Sequence, residues 1–314
     1  MPLLKVQLNH PGNEKPFRIC KGYQKVDELI IREWNDDPRH YRKFIRNEGE
    51  YLASLDGKSQ KGNLLFWGEW EGNSVFRPLN NGKGSPNGFH EPFHSNLISG
   101  LENTDPYIFG EYFKYVTCKQ SGKVSLLDNF SLILFGSVYP SKNAFYLDTV
   151  FVVKSHETAS EICSNGACNY SLTFREETLE QLDNEYLGPN PSSSKKLYKG
   201  LTWWDNKEYF SFVPCKLTGD NNYIRFKLDL NDPWFNLSSN PTGKSFMHNC
   251  EGSPQETWRR IAGMAIEQGF YLAIRLNEPQ KNDDLLNGFI KIQPTSNGAC
   301  GRKIGTPPKV KGCK

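Results

Sequence analysis

Long apolar runs are missing from this sequence. None reaches the roughly 18 residues that a membrane-spanning helix needs, and the longest, around Leu132–Val138 and Ala144–Val153, are the length of strands. The start, Met1–His10, has no extended apolar core, so no secretory signal is expected. The usual catalytic signatures are absent as well. No GxGxxG follows a strand pattern, and neither GxSxG nor HExxH occurs. Gly243-Lys244-Ser245 imitates the end of a phosphate-binding loop, but Ser238 stands where that loop needs its first glycine. His90 and His94 have the i, i+4 spacing of helical metal ligands, yet Pro92 lies between them and disfavours the helix. These gaps remove the sequence support for phosphoryl transfer, dinucleotide redox chemistry and zinc hydrolysis.

Charge is also modest. The 314 residues carry a formal net charge of +3, too little for a protein that coats nucleic acid non-specifically. The basic segment Gly301–Lys314, with Arg302, Lys303, Lys309, Lys311 and Lys314, reads as a solvated tail or a few phosphate contacts. Eight cysteines are present. A chain of this length without an export signal is expected to keep them reduced in the cytoplasm. Cys163 and Cys168 form a C-x4-C pair with no second pair to complete a zinc site, so no metal is expected.

Hydrophobic periodicity mixes strands and helices without a regular β-α-β alternation. The expected fold is therefore mixed α/β (α+β), with a central, largely antiparallel sheet flanked by helices. Leu3–Leu8 alternates like a strand. Ser131–Val138 and Phe145–Val153, joined by Pro140–Asn143, predict a hairpin. Asp37-Pro38 reads as a helix start, with Tyr41, Phe44 and Ile45 on one face. Thr173 and Glu176 have capping-box spacing, and Ser253-Pro254 with Glu256 opens the strongest helix, which Gly269 ends. Gly188–Ser194 is the best linker candidate. It divides the chain into a motif-bearing part, 1–190, and a second lobe, 191–314, packed on the first.

Two stretches carry the densest chemistry. In Leu64–Glu71, strand alternation places Trp67, Glu69 and Glu71 on one face, an acid beside an indole. Trp67 and Trp70 suit the face of a planar base, and Glu69 its hydrogen-bonding edge; the bland alternative is a core strand whose Glu69 pairs with Arg42. In Asn103–Gln120, Asn103, Thr104 and Asp105 precede a proline in a tight turn, with Tyr107 available for stacking. Cys118 lacks an obvious histidine partner. Asp148 interrupts an apolar strand and must be satisfied or functional. Arg42 and Lys43, on the expected helix, and Lys119 are candidate phosphate ligands.

In order along the chain, WNDDPRHYRKF, LLFWGEWEG, NTDPYIFGEYFKYVTCKQ, SLILFGS and FYLDTVFVV resemble a family of bacterial and phage proteins associated with nucleotide modification and phage-defence loci. The likeness covers roughly residues 30–155. The last two segments also resemble the strand layout of PUA-like and EVE-like modified-base readers. Some defence proteins of this kind are DNA glycosylases that remove glucosylated hydroxymethylcytosine. The resemblance implies a protein that binds modified phage DNA as a monomer, without membrane attachment or cofactor, and excises a flipped base. In that reading Asp105 and Glu69, then Asp148, orient water and stabilise the sugar cation. Trp67, Trp70, Tyr107 and Asn103 hold the base, and Arg42, Lys43 and Lys119 hold phosphates. The alternatives are a reader without chemistry, or a nuclease or ADP-ribosyl transferase, for which no complete motif is present.

Overall fold

A computed structural model describes residues 3–10, 12, 30–32, 42–79, 86, 88–95, 104–116, 120, 122–158, 160–162, 169–179, 196–220, 223–241, 243–247 and 251–285. Its strands are β1 (Lys5–Asn9), β2 (Ile30–Arg32), β3 (Lys43–Leu52), β4 (Gln60–Gly68), β5 (Ser74–Pro78), β6 (Gly88–Pro92), β7 (Lys114–Tyr115), β8 (Leu132–Tyr139), β9 (Ala144–Thr158), β10 (Lys196–Gly200), β11 (Val213–Leu217), β12 (Lys227–Asp229), β13 (Gly243–Phe246) and β14 (Tyr271–Leu276). The long helix, α1, spans Pro254–Glu267. The fold is mixed α/β and dominated by sheet.

One sheet runs β13-β1-β8-β9-β10-β7, with β12 also on β9. The other runs β14-β11-β4-β3-β6-β5-β2, and β14 pairs with β3 as well, closing β3, β4, β11 and β14 into a small barrel. Among the described strand pairs only β1–β8 and β3–β6 are parallel. Closure removes two exposed sheet edges that would otherwise present unpaired backbone groups.

The β8–β9 hairpin forms as its sequence predicts, and its near-continuous apolar run has a structural reason. Alternate residues face opposite sides. Ile133, Phe135, Phe151 and Val153 pack into a core shared with the barrel residues Ile45, Leu64, Phe66 and Leu276. Leu132, Leu134, Val150 and Val152 pack on the other side with Trp258, Ile261, Ala262 and Ala265 of α1. The strands are thus covered on both faces, which requires apolar residues at every position. Gly136 marks a close approach: a Cβ there would collide with the Tyr146 carbonyl and the Phe145 ring.

Helix α1 begins with the expected capping box. The Ser253 hydroxyl accepts the Glu256 backbone N–H (3.2 Å), and Glu256 accepts the Ser253 backbone N–H (2.6 Å). Gly269 follows it at φ +74°.

Other expectations are corrected. Residues 43–52 form strand β3, not a helix; Phe44 and Ile45 are consecutive ladder residues paired with Trp67 and Phe66. The helical turn at Leu172–Phe174 is capped by Ser171, not by Thr173. Gly243-Lys244-Ser245, already excluded as a phosphate-binding loop by Ser238, lies in β13. Strands on either side of residue 190 share both sheets: β10 pairs with β9, β13 with β1, β11 with β4 and β14 with β3. Pairing among the described strands thus crosses that position. The linker candidate and Cys163/Cys168 lie outside the described residues, as does the basic tail.

Candidate functional site

Where β3 and β4 end side by side, Lys43 pairs with Gly68, so Arg42 and Glu69 leave the ladder together. Their side chains form a buried ion pair. The Glu69 carboxylate also lies 3.4 Å from His10 Nδ1. On the other sheet, the β8–β9 register shifts at Phe135/Gly136, pairing these with Thr149 and Leu147 and leaving Asp148 unpaired. Bulges of this kind re-aim a side chain, and Asp148 points to the same place. Its carboxylate lies 3.0 Å from Arg42 Nε and is ion-paired with Arg225. Burial pushes the Asp148 carboxyl up from its ordinary value, while Arg225 and Arg42 pull it down. The Arg225 guanidinium also sits over the rings of Trp67 (5.3 Å) and Tyr146 (5.2 Å). The Trp67 indole N–H is buried without a hydrogen-bond partner among the described residues.

Four residues singled out in the sequence, Arg42, Glu69, Trp67 and Asp148, therefore converge. They do so in the interior. Arg42, Glu69 and Asp148 are at most 2% exposed. Arg42 and Lys43 are buried side chains rather than a phosphate-facing surface, which corrects their expected placement. Two carboxylates against two guanidiniums make a compensated cluster, as buried charges require. The face shared by Trp67, Glu69 and Glu71 is also corrected, because β4 ends at Gly68.

The second stretch packs against the first. The Thr104 hydroxyl accepts the Glu71 backbone N–H (2.9 Å), and Trp70 meets Phe109 edge to face, ring centres 5.3 Å apart. The Trp70 indole N–H donates to the Asn73 carbonyl (2.9 Å). Asp105, followed by a cis Pro106, accepts the Val116 backbone N–H (2.9 Å) and is fully buried. Trp70 and Tyr107 are likewise fully buried. These residues make a wall of the core, with no stacking face offered to solvent. Asn103, Lys119 and Cys118 lie outside the described residues.

Tyr107 leads from this core to an open cleft. Its hydroxyl donates to the Glu278 carboxylate, and the Ser171 hydroxyl donates to the other oxygen (2.9 Å). Gly110, at φ +85°, leaves the room that the Glu278 carboxylate fills. Beneath lies Lys114, its ammonium 5.0 Å from the centre of the Tyr107 ring and 4.8 Å from that of Phe174, donating to the Tyr112 carbonyl (3.1 Å). Burial lowers its pKa to about 8, although Glu278 opposes the shift.

The cleft has a volume of ≈ 660 Å³, within the range of small-ligand sites. One wall comes from β3, β5 and β6, with Glu48, Arg77, Glu91 and Phe93; the other is the strap after β14, with Asn277, Glu278, Gln280 and Asn282. Backbone bonds hold the strap: Asn277 N–H to the Glu48 carbonyl (2.9 Å), His94 N–H to the Gln280 carbonyl (3.0 Å) and Asn282 N–H to the His94 carbonyl (2.9 Å). Glu91 is braced by Arg77 (3.0 Å) and Arg46. Sequence reasoning missed these residues. They come from four distant segments and form no local motif.

Among the described residues no cluster of three or more His, Cys, Asp or Glu is arranged to hold a metal, and no helix is long and apolar enough to cross a membrane. Comparison with protein-family models, curated proteins and solved structures gives no match.

Proposed function

We propose that the protein recognises a modified nucleobase in DNA, and that the cleft between β3, β5, β6 and the strap after β14 receives the base. The observation that carries this reading is the cleft itself: ≈ 660 Å³, with carboxylates, carboxamides and the Phe93 ring along one groove. A base is planar, with N–H donors and carbonyl acceptors around its edge. Carboxylates accept from exocyclic amines, and carboxamides complement either kind of group. Glu278 is fixed by two hydroxyls before any ligand arrives, so little ordering is required on binding.

Recognition is favoured over excision by the acids first assigned to catalysis. Glu69 and Asp148 are buried and ion-paired with arginines, and Asp105 is committed to a backbone N–H. A group that activates water must reach it. Hydrolysis of the N-glycosidic bond stands as a second reading because Glu48, Glu91 and Glu278 line the cleft, and carboxylates stabilise a sugar cation as they do in glycosidases.

The test is incubation with DNA bearing glucosylated hydroxymethylcytosine, scoring bound DNA, free base and alkali-labile sites. Binding without base release supports recognition. Base release supports the excision reading, and absence of both rejects both readings.

A further inference from the structure

The outer face of the barrel next to the cleft carries an exposed tryptophan. Trp204 is 47% exposed, on the loop between β10 and β11, and meets Trp203 edge to face with ring centres 5.7 Å apart. Two cations border the pair: the Arg275 guanidinium lies 5.9 Å from the centre of the Trp204 ring, and Lys207 Nζ lies 4.9 Å from that of Trp203. The nearby acids are partly committed. Asp205 pairs with Lys154 (2.8 Å) and accepts from the Thr202 hydroxyl (2.7 Å), and Glu50 lies 3.8 Å from Arg275.

The position of this pair relative to the cleft follows from strand register. Arg275 is opposite Glu50 on the β14–β3 ladder, and one step beyond, the Asn277 N–H bonds the Glu48 carbonyl. Glu48 and Asn277 line the cleft. Glu50 and Arg275 are thus the next same-face pair, and same-face neighbours are about 7 Å apart along a strand. Gly49 and Leu276, between them, are buried inward.

We propose that Trp204 and Arg275 form a second subsite, which stacks the nucleobase next to the one in the cleft. This rests on the cleft as a base site. A nucleotide drawn into a pocket loses its stacking, and its neighbour is left with an open face. A nucleotide turned into the cleft is no longer stacked on its neighbour along the strand. The strand therefore crosses this ribbon unstacked at that step, and the indole replaces the lost contact. Arg275, with Lys207 near by, supplies cation to the intervening phosphate. Stacking on aromatic side chains is tolerant of sequence, so the subsite takes any neighbouring base.

The test compares two probes by equilibrium binding: the 5′-monophosphate nucleotide of glucosylated hydroxymethylcytosine, and a single-stranded heptamer with that nucleotide at its centre. The native protein is expected to bind the heptamer more tightly. Trp204→Ala is expected to weaken the heptamer about tenfold and leave the mononucleotide unchanged, while Trp204→Phe keeps most of the heptamer affinity. The Trp204 side chain is exposed, so these variants are expected to fold. Heptamer affinity unchanged in Trp204→Ala but lost in Glu278→Gln overturns the second subsite and leaves the cleft reading standing. Failure of the native protein to bind either probe overturns the cleft reading and this proposal with it.

Discussion

Arg42 Nε lies 3.0 Å from the Asp148 carboxylate, and both side chains are buried at the junction of the two sheets. Arg42 immediately precedes β3 and Asp148 lies at the bulge in β9, so the pair ties the barrel to the second sheet. Removing one partner of a buried pair leaves a charge without compensation, at a cost of about 3–5 kcal/mol. Arg42→Met is expected to lose stability on that scale in urea denaturation. Adding Asp148→Asn to it is expected to cost less than the sum of the single effects, because the pair is coupled.

Lys114 gives a prediction in pH. Burial lowers its folded pKa from 10.5 to about 8. Between those values the unfolded chain binds more protons than the folded one, so this residue makes stability rise with pH across the interval. The buried tyrosines Tyr170, Tyr198 and Tyr209 and the Cys215 thiol, all pushed up by burial, act in the opposite direction. The contribution of Lys114 is therefore read as a difference. Lys114→Met is expected to gain on the native protein at pH 7.5 and to lose that advantage by pH 10, in urea midpoints taken at both.

Cys215 is buried on β11, and burial raises its thiol pKa. The thiolate is the reactive form. Its peptide is expected to escape alkylation in the native protein at pH 8 and to be labelled in urea, as peptide mass spectrometry would show. Labelling in the native protein would contradict its place in the core.

Ser253→Ala removes the side-chain half of the α1 cap and is expected to cost about 1 kcal/mol. Thermal or urea unfolding of the variant measures it.

These elements also show what was legible in the sequence. The α1 cap is written in three adjacent positions, and the β8–β9 hairpin in two apolar runs around a proline turn; both are local. Phe44 and Ile45 misled because their spacing from Tyr41 also fits a helical stripe, while the partners that make residues 43–52 a strand lie in β4 and β14. For Glu69 and Asp148, an acid among apolar neighbours correctly marked an unusual environment, and the alternative of pairing with Arg42 is the one found for Glu69. The cleft was not legible, because Glu48, Glu91 and Glu278 meet only through the closure of β14 on β3 and the strap that follows.

The most direct measurement is equilibrium binding to two oligonucleotides of identical sequence, one carrying a single glucosylated hydroxymethylcytosine and the other cytosine, with native protein and Glu278→Gln. The account predicts tighter binding of the modified strand by the native protein and loss of that preference in the variant. Equal affinity for the two strands, or a preference that Glu278→Gln leaves intact, would contradict it.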